Sequence, residues 1–248
     1  MSFSLALSRV VEKLGLQFVN KRLYRTSYFT GEAVRLMRPV IDRYNELVHQ
    51  YPTDADHRKA EENQLLFLIM LYWLNLQSEP ALKVLDIGGR GGLFAYYCKA
   101  YGHDAYITDL ESVLTKSPNK ELLDLFQVNS FALQVKPFEP LDSKGHKFDL
   151  ITGFRTRFHS RLPFETGKET EEHWGVDEWD FFLHDLAANV LTEQGRIFFM
   201  LNRLQEHGKE DFVPEALKRF FRARGGRLRQ QFLSFPNTRK ILLKCRAN

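Results

Sequence analysis

Through most of the first eighty residues, apolar side chains return every three or four positions. Leu5, Ser8, Val11, Leu14 and Phe18 fall near one helical face, and Ala33, Leu36, Met37, Val40, Ile41, Tyr44 and Val48 keep the i, i+3, i+4 spacing more strictly. Thr30-Gly31-Glu32 offers an N-cap and an early acid for the second of these helices, and Pro52 closes it. A third helix is predicted from Asp56 to Gln77. It begins charged and turns almost wholly apolar, as suits a helix that slides under a sheet, and Glu79-Pro80 ends it.

From Leu82 the periodicity changes to short apolar strands separated by helices. Strands are predicted at Lys83 to Ile87, Asp104 to Thr108 (closing on Asp109), Phe131 to Val135, Phe148 to Gly153 and Arg196 to Leu201. Helices are predicted at Leu93 to Tyr101, Val176 to Leu191 and Asp211 to Arg224, and a closing hairpin at Leu228 to Phe235 and Arg239 to Cys245, turning at Pro236-Asn237-Thr238. Alternating strands and helices imply an α/β fold: a doubly wound, mostly parallel sheet with right-handed crossovers, to which the hairpin adds antiparallel strands. The expected division is a helical cap over residues 1–80 and a nucleotide-binding domain over residues 81–248.

Composition excludes more than it identifies. The 248 residues are 44% hydrophobic and 27% charged, so disorder, collagen-like repeats and a disulfide scaffold are ruled out. Two cysteines, Cys98 and Cys245, suit a reducing compartment, and a cytoplasmic location is expected. The start MSFSLALSRVVEKLG has no basic n-region, and Arg9 interrupts its apolar stretch, so it does not read as a secretory signal. The longest apolar run, Leu65 to Leu76, is broken by Asn75 and falls short of the ~20 residues a spanning helix needs.

Charge is uneven rather than large. The net charge is +4, but residues 203–246 hold 12 Lys/Arg against 4 acids, whereas residues 165–180 hold 7 acids against one Lys. The basic end reads either as an attractor of phosphate, anionic lipid or nucleic acid or as solvated surface. No aromatic platform or nucleic-acid motif accompanies it, so a nucleic-acid partner is not expected.

The chemistry-bearing segment lies between the first two strands of the domain. Asp86-Ile87-Gly88-Gly89-Arg90-Gly91-Gly92 is a glycine turn between a strand and a helix, and Asp109 follows at the end of the next strand. Glycines allow a sharp turn and close backbone approach to a ligand, and a carboxylate at the second strand end can accept both ribose hydroxyls. A dinucleotide fingerprint would require its third glycine at Phe94, which is too large there. Asp86 also sets a negative charge at the turn, unfavourable beside a pyrophosphate and favourable beside an amino group or sulfonium.

The segment Val84-Leu85-Asp86-Ile87-Gly88-Gly89-Arg90-Gly91-Gly92 resembles the first motif of class I S-adenosylmethionine-dependent methyltransferases, D-x-G-x-G-x-G after the first strand. Asp109-Leu110 resembles that family's acid at the end of its second strand, Phe148-Asp149-Leu150-Ile151 its fourth-strand motif, and Leu191 to Ile197 the entry to its fifth. The resemblance spans about residues 80–248. It implies a Rossmann-like seven-stranded sheet, S-adenosylmethionine as cofactor, and cofactor contacts from Asp86, Gly88, Gly89, Arg90, Gly92, Asp109, Leu110, Val135 and Gly153. Two positions depart from the family: its central glycine is Arg90, and Val135-Lys136-Pro137 stand where a polar residue normally follows the third strand.

In an open α/β sheet the reacting crevice lies beyond the carboxyl ends of the strands. The connection after the fourth strand is long, and it carries Arg155, Arg157, His159 and Arg161 before the acidic stretch that leads to Trp174 and Trp179. His159 is the candidate general base, and Arg155 with its neighbours the candidate clamp for an anionic acceptor; paired structural charges are the competing reading. The two tryptophans either anchor the following helix or wall a binding site. No H-E-x-x-H, Cys/His cluster, G-x-S-x-G or phosphate loop is present, so no metal site is expected. The resemblance therefore implies methyl transfer to a small-molecule or carrier-linked acceptor, glycan or anionic. One variant is a peripheral membrane enzyme, since residues 1–50 hold 8 Lys/Arg against 4 acids beside apolar faces. The alternatives are a catalytically inactive nucleotide- or partner-binding module on the same fold and, disfavoured by Phe94, a nicotinamide enzyme.

Overall fold

A computed structural model describes residues 60–154, 173–201 and 213–237, with 204–206 and 209–211 and the single positions Val40, Arg43, Tyr44, Glu46, Leu47, Gln50, Tyr51, Thr156 and Ile241. The first two expected helices lie outside these residues, apart from helical positions at Val40, Arg43, Tyr44, Glu46, Leu47 and Gln50. The chain divides into two compact units. One comprises residues 1–81, 91–105 and 112–129, and the other residues 82–90, 106–111 and 130–248.

In the first unit, α1 (Ala60–Trp73) falls inside its expected span, and a 3-10 turn follows at Leu76–Ser78. Leu68, Met70 and Leu71 on α1 are fully buried. Asn75 ends α1 in the left-handed region (φ 59°), which Asn tolerates better than most side chains. Later in the chain come β1 (Lys83–Ile87) and then α2 (Leu93–Ala100), which packs on α1. The Phe67 and Phe94 rings lie 6.1 Å apart, and the hydroxyls of Tyr72 and Tyr101 are hydrogen-bonded at 2.9 Å. After β2 (Asp104–Asp109) and the short α3 (Glu111–Leu114), α4 (Asn119–Phe126) stacks Phe126 on Tyr96 of α2 with ring centroids 4.7 Å apart.

The second unit holds most of the sheet. Its remaining elements are β3 (Asn129–Ala132), β4 (Phe148–Phe154), α5 (Val176–Asp185), β5 (Leu191–Met200), a ribbon of β6 (Leu204–Glu206) and β7 (Lys209–Asp211), α6 (Glu215–Ala223), β8 (Arg227–Arg229) and β9 (Phe232–Phe235). The seven-stranded sheet runs β3-β2-β1-β4-β5-β9-β8 and is mostly parallel, with β9 antiparallel to both β5 and β8. This is the Rossmann-like arrangement with an antiparallel close that the motifs imply. Register aligns Leu85 with Ile151 and Asp86 with Thr152, so alternation sends Leu85, Ile87 and Ile151 to one face and Asp86 and Thr152 to the other. Leu85, Ile87, Ile151, Ile197, Phe199, Leu233 and Phe235 build the core of this unit with Trp179, Phe182 and Leu183 of α5 and Leu217 and Phe221 of α6.

Several boundaries differ from the sequence reading. The third strand forms at Asn129–Ala132 rather than 131–135. The helix from Val176 is α-helical only to Asp185 and continues as a wide π turn over Leu186–Val190. The next strand starts at Leu191, taking in the turn that precedes Arg196, and its pairing with β4 jumps from Phe148↔Leu191 to Leu150↔Arg196. Asp211 belongs to the β6–β7 ribbon, so α6 begins at Glu215, after Pro214. The antiparallel hairpin is Arg227–Arg229 with Phe232–Phe235, reversing at Gln230 (φ 53°), so the turn at Pro236-Asn237-Thr238 does not join its strands. Of the expected last strand only Ile241 is described, and it is helical and buried. No helix among the described residues is long and apolar enough to cross a membrane.

Trp174 and Trp179 anchor α5. Both are 1% exposed and meet edge to face at 5.6 Å, and Trp179 also packs against Phe199 and Phe221. Glu178 accepts the Gly175 N–H at 2.9 Å and fixes the start of the helix. Trp179→Ala is expected to cost about 3–5 kcal/mol of stability, as for other large aromatics removed from a core. Urea denaturation monitored by circular dichroism checks this, and a loss below about 1 kcal/mol contradicts this packing.

Candidate functional site

The site is built where β1 and β2 end. Beyond Ile87 the backbone enters the left-handed region at Gly88 (φ +73°). The Gly88 and Gly89 N–H groups both donate to the Thr108 carbonyl, at 2.6 and 3.3 Å, tying the turn to the end of β2. A Cβ on Gly88 would collide with the Thr156 methyl, and one on Gly89 would lie 2.8 Å from Ile107 Cγ2 and 3.1 Å from Asp86 Oδ2. Neither position admits a side chain, and the bare backbone that results can be approached closely by a ligand.

Two carboxylates flank this turn. Asp109 is half-buried at the end of β2, and each of its oxygens is held by a backbone donor: Leu110 N–H to Oδ1 at 2.8 Å and Arg90 N–H to Oδ2 at 3.2 Å. Burial raises the Asp109 carboxyl above its ordinary range, opposed by the Leu110 and Arg90 N–H groups and by the positive charge of Arg90. A carboxylate offers about four lone-pair sites, so after these two bonds it retains acceptor capacity for hydroxyls.

Asp86 is 3% exposed on β1, and its Oδ1 accepts the Thr152 hydroxyl at 2.8 Å. Burial pushes its carboxyl from 3.8 up to about 7; the Thr152 hydrogen bond opposes the shift and the neighbouring negative Asp109 adds to it. Among the described residues, no cation is among the groups that shift Asp86. An ammonium or sulfonium placed beside it relieves a buried carboxylate's desolvation cost, so the residues present fit a ligand bearing both a ribose and a positive charge.

The other expected contacts are more scattered. Gly153 is buried in β4 opposite Phe199, and Leu110 is half-buried just past β2. Val135 is half-buried against the apolar core, and the Leu133 N–H bonds the Asp109 carbonyl at 2.9 Å, joining that segment to the end of β2. Gly92 belongs to the first unit, with φ +76° at the start of α2. Arg155, Arg157, His159 and Arg161 lie outside the described residues. Thr152, Thr108 and Thr156 were missed by sequence reasoning. Only the β1–β4 register announces the first, and the turn geometry the other two, so no local sequence signal marks them.

No family model and no curated protein matches the sequence. Among solved structures the backbone is similar to magnesium protoporphyrin IX methyltransferase from Synechocystis PCC 6803 with bound SAH, at 13% identity and a TM-score of 0.45 over 73% of this chain and 86% of that one. It is also similar to a TehB-like SAM-dependent methyltransferase from Corynebacterium glutamicum, at 18% identity and a TM-score of 0.42 over 67% and 85%. A third likeness is to the PH0226 protein from Pyrococcus horikoshii, at 18% identity and a TM-score of 0.41, where 62% of this chain spans 58% of that one. These are distant likenesses. The class of fold rests on the strand order and the antiparallel close described above.

The Asp86 carboxyl generates a stability test. A carboxyl raised in the folded state stays protonated to higher pH than in the unfolded chain, so its favourable contribution is complete below about pH 4 and lost as pH rises to about 7. Asp86→Asn has no such dependence. The variant is expected to gain on the wild type between these limits by a few kcal/mol, since each tenfold change in acidity constant is worth roughly 1.4 kcal/mol, and the gap levels off above pH 7. Urea unfolding at pH 4.5, 6 and 8 measures it. Parallel curves for the two proteins contradict a buried, protonatable Asp86.

Proposed function

We propose that this chain is an S-adenosylmethionine-dependent methyltransferase acting on a small-molecule or carrier-linked acceptor of glycan or anionic character. The observation that carries the reading is the pairing of Asp109 with the glycine turn at the ends of β1 and β2, with the cation-seeking Asp86 beside them. A ribose acceptor and a site for positive charge on one narrow edge match S-adenosylmethionine better than a nicotinamide dinucleotide, whose pyrophosphate is repelled by Asp86.

When bound, the cofactor supplies a methyl group already activated on a positive sulfur. The protein's work is then to hold, orient and shield. Asp109 accepts the ribose hydroxyls, while Gly88, Gly89 and Arg90 bring backbone rather than side chain against the ligand. Asp86 faces its positive end, and Leu110, Val135 and Gly153 complete the cofactor contacts within this unit. His159 takes a proton from the acceptor where the acceptor is a hydroxyl or a protonated amine, and Arg155 holds the acceptor's anionic group. Alignment of the two reactants is the principal contribution to rate, worth roughly 7–11 kcal/mol in well-oriented reactions.

Isothermal titration tests the reading directly. S-adenosylmethionine and S-adenosylhomocysteine are expected to bind and NAD is not. Asp109→Ala is expected to weaken S-adenosylhomocysteine by about 1–3 kcal/mol, the range for hydrogen bonds to a charged group. Absence of binding by either sulfur nucleoside overturns the proposal, and unchanged affinity in Asp109→Ala removes that residue from the site.

A further inference from the structure

The face of β4 that carries Thr152 is otherwise apolar. Leu150 and Phe154 share that face by alternation, and the β5 partner of Thr152 is Phe198, all of them buried. A buried hydroxyl costs free energy unless it is hydrogen-bonded, and valine has nearly the same shape without that cost. Packing alone therefore does not account for a threonine at this position.

Its neighbour gives it a use. Thr152 is fully buried, Asp86 is 3% exposed, and the two are register partners in the parallel β1–β4 pair. The Thr152 hydroxyl donates to Asp86 Oδ1 at 2.8 Å. The Leu85 carbonyl lies farther away, at 3.4 Å, and a carboxylate is the stronger acceptor for the hydroxyl's single hydrogen. With Oδ1 so engaged, Oδ2 is left on the side of the glycine turn, 3.1 Å from where a Cβ on Gly89 would stand. One oxygen of the carboxylate is anchored to the sheet and the other is directed at the bare turn.

We propose that Thr152 is a positioning residue that acts through Asp86: its hydroxyl holds Oδ1 and so presents Oδ2 at the glycine turn to the positively charged amino group of the cofactor. This rests on the cofactor reading above and deepens it. Asp109, at the end of β2, is the charged group acting on Asp86 among the described residues. The acid of β4 itself, Asp149, is engaged elsewhere, by the Lys83 N–H and the Thr192 hydroxyl, both at 2.9 Å. The Thr152 bond is thus the contact that favours an ionised Asp86 against burial and Asp109, and without it the carboxyl rises further above its ordinary range. Loss of the hydroxyl weakens the hold on the amino group most where pH is low.

The experiment compares two ligands by isothermal titration at about pH 6.5, 7.5 and 8.5: S-adenosylhomocysteine, and 5′-methylthioadenosine, which keeps the ribose and sulfur but has no amino group on its chain. The proteins are the wild type, Thr152→Val, Thr152→Ala and Thr152→Ser. Thr152→Val and Thr152→Ala are expected to bind S-adenosylhomocysteine roughly three- to tenfold more weakly than the wild type at pH 6.5, with the gap narrowing by pH 8.5. Their affinity for 5′-methylthioadenosine stays within about twofold of the wild type at each pH, and Thr152→Ser follows the wild type with both ligands. Grouping by hydroxyl rather than by volume is the signature, and the Ala and Ser variants, both smaller than threonine, decide it even without a folded Thr152→Val. Serine that behaves like alanine overturns this role and leaves the cofactor reading standing. So does an equal loss of both ligands, or a Thr152→Val profile superimposable on the wild type. Failure of the wild type to bind either nucleoside overturns the cofactor reading, and this role with it.

Discussion

One carboxylate holds together the two strand ends on which the site depends. Asp109 accepts N–H groups from Leu110 and from Arg90, so the end of β2 and the turn after β1 share a single anion. The Thr108 carbonyl reinforces this link by receiving the Gly88 and Gly89 N–H groups. Each bond satisfies a main-chain donor that the tight turn would otherwise leave open, and together they set the turn's path. Local folding needs and the needs of the proposed ligand therefore coincide: the geometry that satisfies the turn leaves a carboxylate with spare acceptor capacity beside bare glycine backbone.

Asp86 imposes the opposite tendency. It sits in the body of the sheet, one strand from Thr152, and the hydroxyl there only partly offsets its burial. An apolar residue at this position would make the sheet more stable, so the acid is a local cost carried by the rest of the unit. The aromatic core formed by Trp174, Trp179, Phe182, Phe199 and Phe221 supplies the compensating burial on the other face of the same strands. A buried acid that no cation among the described residues offsets is a place where a cationic ligand group gains most.

Most of the parallel part of the sheet was legible because its strands carry short apolar stretches bounded by turn residues, although β5 begins at Leu191, five residues before the expected Arg196. β1 falls on the residues expected, and β2 and β4 differ from expectation by one residue each. The edges were not. β3 is a polar, largely exposed strand, Asn129–Ala132, whose alternation is weak beside the apolar residues that follow it. The last hairpin reverses at Gln230, which carries none of the glycine or asparagine signals of such turns, whereas Pro236-Asn237 advertises a turn where β9 has already finished. The ribbon at residues 204–211 was absorbed into a connection and a helix start, since three-residue strands leave no periodicity to read. In the site, Asp86, Gly88, Gly89 and Asp109 were visible from their spacing. Thr152 was not, since its partnership with Asp86 arises from pairing between strands sixty-six residues apart.

The account reduces to a nucleoside held at the ends of β1 and β2, its sugar on Asp109 and its positive end toward Asp86. A crystal structure of the protein with S-adenosylhomocysteine is the most direct measurement. The ribose hydroxyls are expected within hydrogen-bond reach of the Asp109 carboxylate, with the amino group on the Asp86 side of the glycine turn. A well-ordered ligand elsewhere on the molecule, with Asp109 making only its two main-chain bonds, contradicts it.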